Sequence, residues 1–305
     1  MDTLNILDPK QAAAALAKRF HFEQSDQRCI AACDSALLSP LATYVFFARY
    51  AAINGYAGPL VARLASTIGL SRGVFTDPSA PADVADRDMN VAARVFEATI
   101  DEFGDENQAK HTHRTLAQAT VEAAAQYAGL SNAQRQKYSQ VSDNYMPVLT
   151  SFINDYQGEV GNVDALVRAL GYHVASELRA DREYALIDEV FRHREKGTHF
   201  HAWLRNNGRV SMNGELLSAW YWIAAHGHYG GTGVEWEHFG AALDAARQAR
   251  KYTSLTEQAF NQLFYEGFQT FLDTIDQVFM AIENECIALS RTSDVAVNEA
   301  LPLGV

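Results

Sequence analysis

Apolar residues recur along this chain at intervals of three and four, alanine is abundant, and alternating β-branched runs are nearly absent. That pattern predicts an all-α fold. Asp8-Pro9 opens the first helix, an N-cap followed by proline at the first helical position. Residues 21–38 are mixed, 40–54 and 58–70 read as two apolar helices, and 71–87, with Gly73, Pro78 and Pro81, reads as a loop. From Asp88 to Phe103 the apolar positions are Met89, Ala92, Phe96, Ile100 and Phe103, and Gly104 ends that helix. Helices are expected from about His111 to Tyr127, from Ser131 past a kink at Met146-Pro147, and from Asn162 to about Arg194. The polar stretch 196–214 reads as an insertion or lid, and Glu215 to Ala225 as helical. Four glycines between 227 and 233 then interrupt the chain before a helix from Val234 to Arg250. Ser254-Leu-Thr-Glu257 is a capping box. It opens a last helix with Phe260, Phe264, Phe268, Phe271, Ile275, Phe279 and Ile282 on one face. The expectation is one domain over 1–289, of about nine helices, with 290–305 a flexible tail.

Several ionisable residues interrupt the apolar stripes. Glu235 and His238 are three apart and share a helical face with Ala242, Ala245 or Ala246, and Ala249. Glu177 follows Leu166, Leu170 and His173; Glu102 follows Val91, Val95 and Ala98; His113 heads Leu116, Thr120, Ala124 and Tyr127. Singly, each fits a solvated helix end or a hydrogen-bonded core histidine. Together Glu102, His113, Glu177, Glu235 and His238, with His226 or His228, put carboxylates and imidazoles on the inner faces of several helices. Burying such groups unpaired is costly, and metal ions remove that cost. A Glu-x-x-His pair on a helix is the unit used by carboxylate-bridged di-metal bundles. The donors suit iron or manganese, and the absence of cysteine from the set disfavours structural zinc.

Composition narrows the classes. The chain has 305 residues, 48% hydrophobic and 20% charged, enough for a substantial core. A net charge of −12 argues against nucleic acid and anionic membranes as partners. There is no apolar run near ~20 residues and no signal-peptide pattern, so the cytoplasm is the expected location. Three cysteines give no disulfide framework; Cys29 and Cys33 read as reduced, half-buried thiols. Ten histidines include three close pairs, His111/His113, His199/His201 and His226/His228.

The phrases Asp101-Glu-Phe-Gly-Asp105, His111-Thr-His-Arg-Thr-Leu116, Ala169-Leu-Gly…Ala175-Ser-Glu177 and His226…Gly233-Val-Glu-Trp-Glu-His-Phe239 resemble the haem-oxygenase-like di-iron oxygenases. The resemblance spans about residues 90 to 250. It implies a haem-oxygenase-like helical bundle with Glu102, His113, Glu177, His226, Glu235 and His238 as ligands to two ferrous ions. It also implies O2-dependent N-oxygenation, desaturation or oxidative C–C cleavage of a small molecule, with an external reductant as a further partner. His113 is preferred to His111 because leucine follows the family's ligand by three residues, as Leu116 does. The sequence departs from the pattern at Gly231, where the family has a histidine; His226 is favoured over His228 to supply it across the glycine break. His199 and His201 are expected at the surface. Tyr44, Phe46, Phe47, Trp220 and Tyr221 are candidate cavity walls, with core packing the stronger expectation. Two other readings stand beside this one: a metal-free relative with a cysteine nucleophile, and a non-catalytic helical protein whose carboxylates pair with Arg94, Arg168 and Arg182. Oligomeric state is open, since the aromatic C-terminal helix suits a homodimer as well as a core.

Overall fold

Asp8 accepts hydrogen bonds from the backbones of Lys10 and Gln11, and Pro9 needs no partner for the N–H it lacks, so α1 spans Pro9–Arg19. The structure, a computed structural model, describes residues 3–100, 102–104, 111–194, 198–227 and 234–299. After α1 come α2 (Phe22–Ala36), α3 (Pro40–Asn54), α4 (Ala57–Leu70) and α5 (Asp88–Glu97). Next are α6 (His113–Tyr127), α7 (Asn132–Ser139), α8 (Met146–Asp155) and α9 (Val163–Asp188), which ends in one turn of π-helix over Glu189–His193. Then follow α10 (Thr198–Asn207), β1 (Arg209–Met212), β2 (Glu215–Ser218), α11 (Tyr221–His226), α12 (Val234–Tyr252) and α13 (Glu257–Glu299). The structure is 75% helical, and its strands among the described residues are one hairpin, so the fold class is all-α. No described helix is long and apolar enough to cross a membrane.

The core is built around α9 and α13, which run against each other. Their contact depends on two residues without side chains. A Cβ on Gly171 would stand 2.0 Å from the Phe264 carbonyl oxygen, and one on Gly267 would stand 1.9 Å from that of Arg168. Along α13 the predicted stripe from Phe260 to Ile282 is buried throughout. Each large apolar side chain buried there contributes roughly 1.5–3 kcal/mol. On α12, Ala242, Ala245, Ala246 and Ala249 have no solvent exposure, and these small side chains let α12 lie close to α9 and α5.

The structure differs from the sequence expectation in several places. The Asp88 helix ends at Glu97, so Glu102 lies in the turn that follows and not on a helix. Its bulky stripe faces outward: Met89, Phe96, Ile100 and Phe103 are exposed, while Val91, Val95 and Ala98 are buried. Close packing on α4 and α12 selects the smaller side chains for the inner face. The Ser131 helix stops at Ser139 and does not kink, because Pro147 stands in the first turn of a separate helix, where its missing N–H costs nothing. Within 196–214 there is a helix and a hairpin strand, and Glu215–Ser218 is the second strand of that hairpin, not the start of a helix. Asn213 (φ 52°) and Gly214 (φ 88°) both adopt the left-handed conformation that a two-residue hairpin turn of primed type requires. At the C-terminus α13 continues past Leu289 to Glu299, since nothing before Pro302 interrupts a helix. Residues 300–305 of the expected tail lie outside the described residues.

Of the candidate wall aromatics, four take the core packing that is the stronger expectation and Tyr221 does not. Phe46, Phe47 and Trp220 pack with Phe191 and Phe200 in a buried ring cluster, Tyr44 is buried, and Tyr221 is exposed. Cys29 and Cys33 are fully buried and not half-buried.

Candidate metal centre

Each of the six predicted residues sits where a local rule puts it. Asn162 caps α9 through the Ala165 backbone and sets the phase that turns His173 and Glu177 inward. Thr112 caps α6 through Thr115, so His113 is the first residue of that helix. The His113 backbone N–H donates to the Glu102 carbonyl at 3.2 Å, which ties Glu102 to the start of α6. Gly58 on α4 makes room for this turn, since a Cβ there would stand 2.7 Å from Glu102 Cβ. His226 ends α11, and Glu235 lies in the first turn of α12, where a helix N-terminus favours a carboxylate.

These side chains converge. Glu102 Oε1 lies 2.6 Å from His113 Nδ1, and His113 Nε2 is in close contact with His226 Nε2. His226 Nε2 lies 3.8 Å from Glu235 Oε1. On the other side His238 Nδ1 is 3.6 Å from Glu177 Oε2 and 3.7 Å from Glu235 Oε2. Glu177, Glu235, His226 and His238 are buried, and His113 and Glu102 are nearly so. Two triads bring their donor atoms within 4.8 Å of one another: His113, His226 and Glu235, and Glu177, Glu235 and His238. Glu235 belongs to both.

Glu102 belongs to neither triad and stands behind His113, as the carboxylate that accepts from its Nδ1–H. In that position it orients the ring, as carboxylates behind metal-bound histidines do. His111 is turned away, toward Glu215 at 3.4 Å. His199 is exposed and His201 partly so. His228 and Gly231 lie outside the described residues.

The hydrogen bonds around the imidazoles fix where their lone pairs point. His226 Nδ1 donates to the Trp222 carbonyl at 2.6 Å, which leaves Nε2 unprotonated. His113 Nδ1 donates to Glu102, which likewise leaves its Nε2 as a lone pair. With these tautomers the two lone pairs face each other, and a metal ion between or beside them would satisfy both. Burial, reinforced by the neighbouring His113, pushes His226 down to about 4, so His226 itself stays neutral and able to donate a lone pair near neutrality. This observation is the test of whether the residues fit a metal, and they do.

Two further residues support the site. His173, fully buried, places Nδ1 3.3 Å from Glu177 Oε1 and 2.7 Å from the Tyr156 hydroxyl, which also bonds Ser176 at 2.8 Å. Burial alone would raise the Glu177 carboxyl, but His173 and His238 outweigh it and hold the group low, as a carboxylate. The signal for His173 was its place four residues before Glu177 on one stripe; Tyr156, from α8, gave none.

The alternative chemistries find less support. Burial raises the Cys33 thiol well above its ordinary range, the opposite of what a nucleophile needs. Arg94, Arg168 and Arg182 pair with Glu97, Glu266 and Asp26.

The depressed value of His226 makes metal-free stability depend on pH. Its folded value of about 4 lies below the ordinary 6.5, so as pH falls the unfolded chain takes up the proton first. This contribution, on the order of 3 kcal/mol, is complete above about pH 6.5 and lost as pH falls toward 4. Thermal melts of the metal-free protein are expected to show the gap between wild type and His226→Asn narrowing across that window. A gap constant with pH would contradict the assignment.

Comparison with protein-family models, with curated proteins and with solved structures returned no match, so the argument for function is carried by this cluster alone.

Proposed function

We propose that the chain is a non-haem di-iron oxidase or oxygenase on a haem-oxygenase-like bundle, acting with O2 on a small molecule. The observation that carries this reading is the pair of triads sharing Glu235, with imidazole lone pairs turned inward. His113, His226 and Glu235 would hold one ion, Glu177, Glu235 and His238 the other, and Glu235 would bridge them. Three protein donors per ion would leave positions open, and the nitrogen and oxygen donors suit iron, with manganese the nearest alternative. Bound ferrous ions would supply electrons for reducing dioxygen.

The chain's own residues do the rest. Glu102 and the Trp222 carbonyl orient His113 and His226, while His173, with Tyr156 behind it, fixes Glu177. Beside these groups lies a cavity of about 50 Å³ walled by Ala57, Val61, Ala98, Phe152, Phe271 and Ile275, among others. It has room for dioxygen or a few waters. The apolar side chains of that wall would keep water from the atoms beside them, which strengthens electrostatic effects there.

Anaerobic loading with Fe(II), desalting and metal analysis are expected to give two irons per chain, with a change in the optical spectrum on exposure to O2. Protein that retains no iron would overturn the proposal.

A further inference from the structure

The cavity reaches beyond the metal ligands. It follows one face of α9 through Ser176, Glu177, Ala180, Glu183 and Tyr184, so Glu183 lies roughly 9 Å along the helix from Glu177. Apart from the residues of the metal cluster, Glu183 is the one carboxyl among the described residues lining it. Its side chain is buried, and its contacts are long: Oε1 is 3.3 Å from Arg179 Nε and Oε2 is 3.4 Å from the Tyr50 hydroxyl. Arg179 itself points its closer bond elsewhere, at 2.7 Å to Asp26, which Arg182 also grips. Arg179 does not line the cavity, so a molecule inside meets the Glu183 carboxyl and not the guanidinium. Buried carboxylates that serve structure are held by short, complete sets of hydrogen bonds, and this one is not.

We propose that Glu183 is the acid–base residue of the cavity, exchanging a proton with the molecule bound between it and the metal-ligand cluster; its use in catalysis rests on the oxidase reading. In the forward step the O–H bond of the Glu183 carboxyl breaks and an H–O or H–N bond forms on a basic atom of the bound molecule. The carboxylate left behind accepts from Arg179 Nε–H and the Tyr50 hydroxyl, and water returns the proton once the product has left. Reduction of oxygen in an apolar enclosure consumes protons, and a wall group must deliver them. The charged and titratable neighbours agree with this use. Burial raises the group to about 7, opposed by Arg179 on α9, reinforced by Asp276 on α13 and opposed again by Tyr50 on α3. Asp26 on α2 and Arg182 lie beyond Arg179, and Arg28 acts on Asp276.

The test uses Glu183→Gln, which keeps the shape and an acceptor oxygen but has no proton to give, with Tyr50→Phe as a second variant. In metal-free protein, difference infrared spectroscopy is expected to show a protonated-carboxyl C=O stretch that fades between about pH 6 and 8. Glu183→Gln removes that band, and Tyr50→Phe, by deleting a donor to the carboxylate, moves its fading to higher pH. In Fe(II)-loaded protein, Glu183→Gln is expected to bind as much iron as wild type yet consume O2 about 10²-fold more slowly, with the pH dependence flattened. Absence of the band, or unchanged O2 consumption in an iron-replete variant, would overturn the proposal. Wild-type protein that takes up no iron would defeat the oxidase reading, and the infrared result would then decide for or against Glu183 by itself.

Discussion

Glu235→Ala is expected to strip both metal positions at once. Glu235 is the member common to the two triads, so if each triad holds an ion its loss would take a donor from both. Changes to the other members should act on one ion only. Glu177→Ala or His238→Ala removes a donor from one triad, and His113→Ala from the other, and each is expected to leave about one iron per chain against two in the wild type. Metal analysis after anaerobic loading reads this directly, with circular dichroism to show that the variants are folded. Two irons retained by Glu235→Ala would show that the ions, if bound, do not share this carboxylate.

The second large effect is structural. Gly171→Ala is expected to destabilise the protein by about 3 kcal/mol or more, because the new methyl would meet a backbone carbonyl that no rotamer change can move. Gly267→Ala should do the same from the other side of the crossing. Gly240→Ala is the control. It lies within α12, a Cβ there meets nothing within 4 Å, and the substitution should stabilise by about 0.4–1 kcal/mol through the unfolded chain. Urea denaturation midpoints separate the two outcomes. Equal and small effects at 171 and 240 would mean that α9 and α13 do not touch through their backbones. Since α9 also carries Glu177, a crossing forced apart should weaken iron retention as well.

The helical class was legible because it rests on periodicity, which survives without knowledge of neighbours. The inward placement of Glu177, Glu235 and His238 was legible for the same reason: each replaces an apolar residue in a stripe that is otherwise buried. What failed were choices between two stripes on one helix. On α5 hydrophobicity favours Met89, Phe96 and Ile100, but contact distance favours Val91, Val95 and Ala98, and only the packed neighbours decide that contest. The hairpin is hidden inside the polar stretch 196–214, although its Asn213-Gly214 dipeptide is a strong turn signal. The helical spacing that carries Glu102 in the sequence ends five residues before it, and its place behind His113 depends on the backbone hydrogen bond between the two, which no spacing rule expresses. Glu183 was missed because a cavity is a property of several elements together.

The six groups are mounted unequally. Glu177 projects from the interior of α9, the helix locked to α13, whereas Glu102 sits in a turn, and His113, His226 and Glu235 occupy helix ends. Helix ends open locally at far lower cost than the middle of a packed helix. Amides beside Glu177 should therefore exchange with deuterium only as slowly as the whole molecule unfolds, while those flanking His113 and His226 exchange through small openings. If the cluster takes up ions as proposed, the α9 carboxylate would stand as the fixed jaw of the site and the donors at helix ends as the moving one.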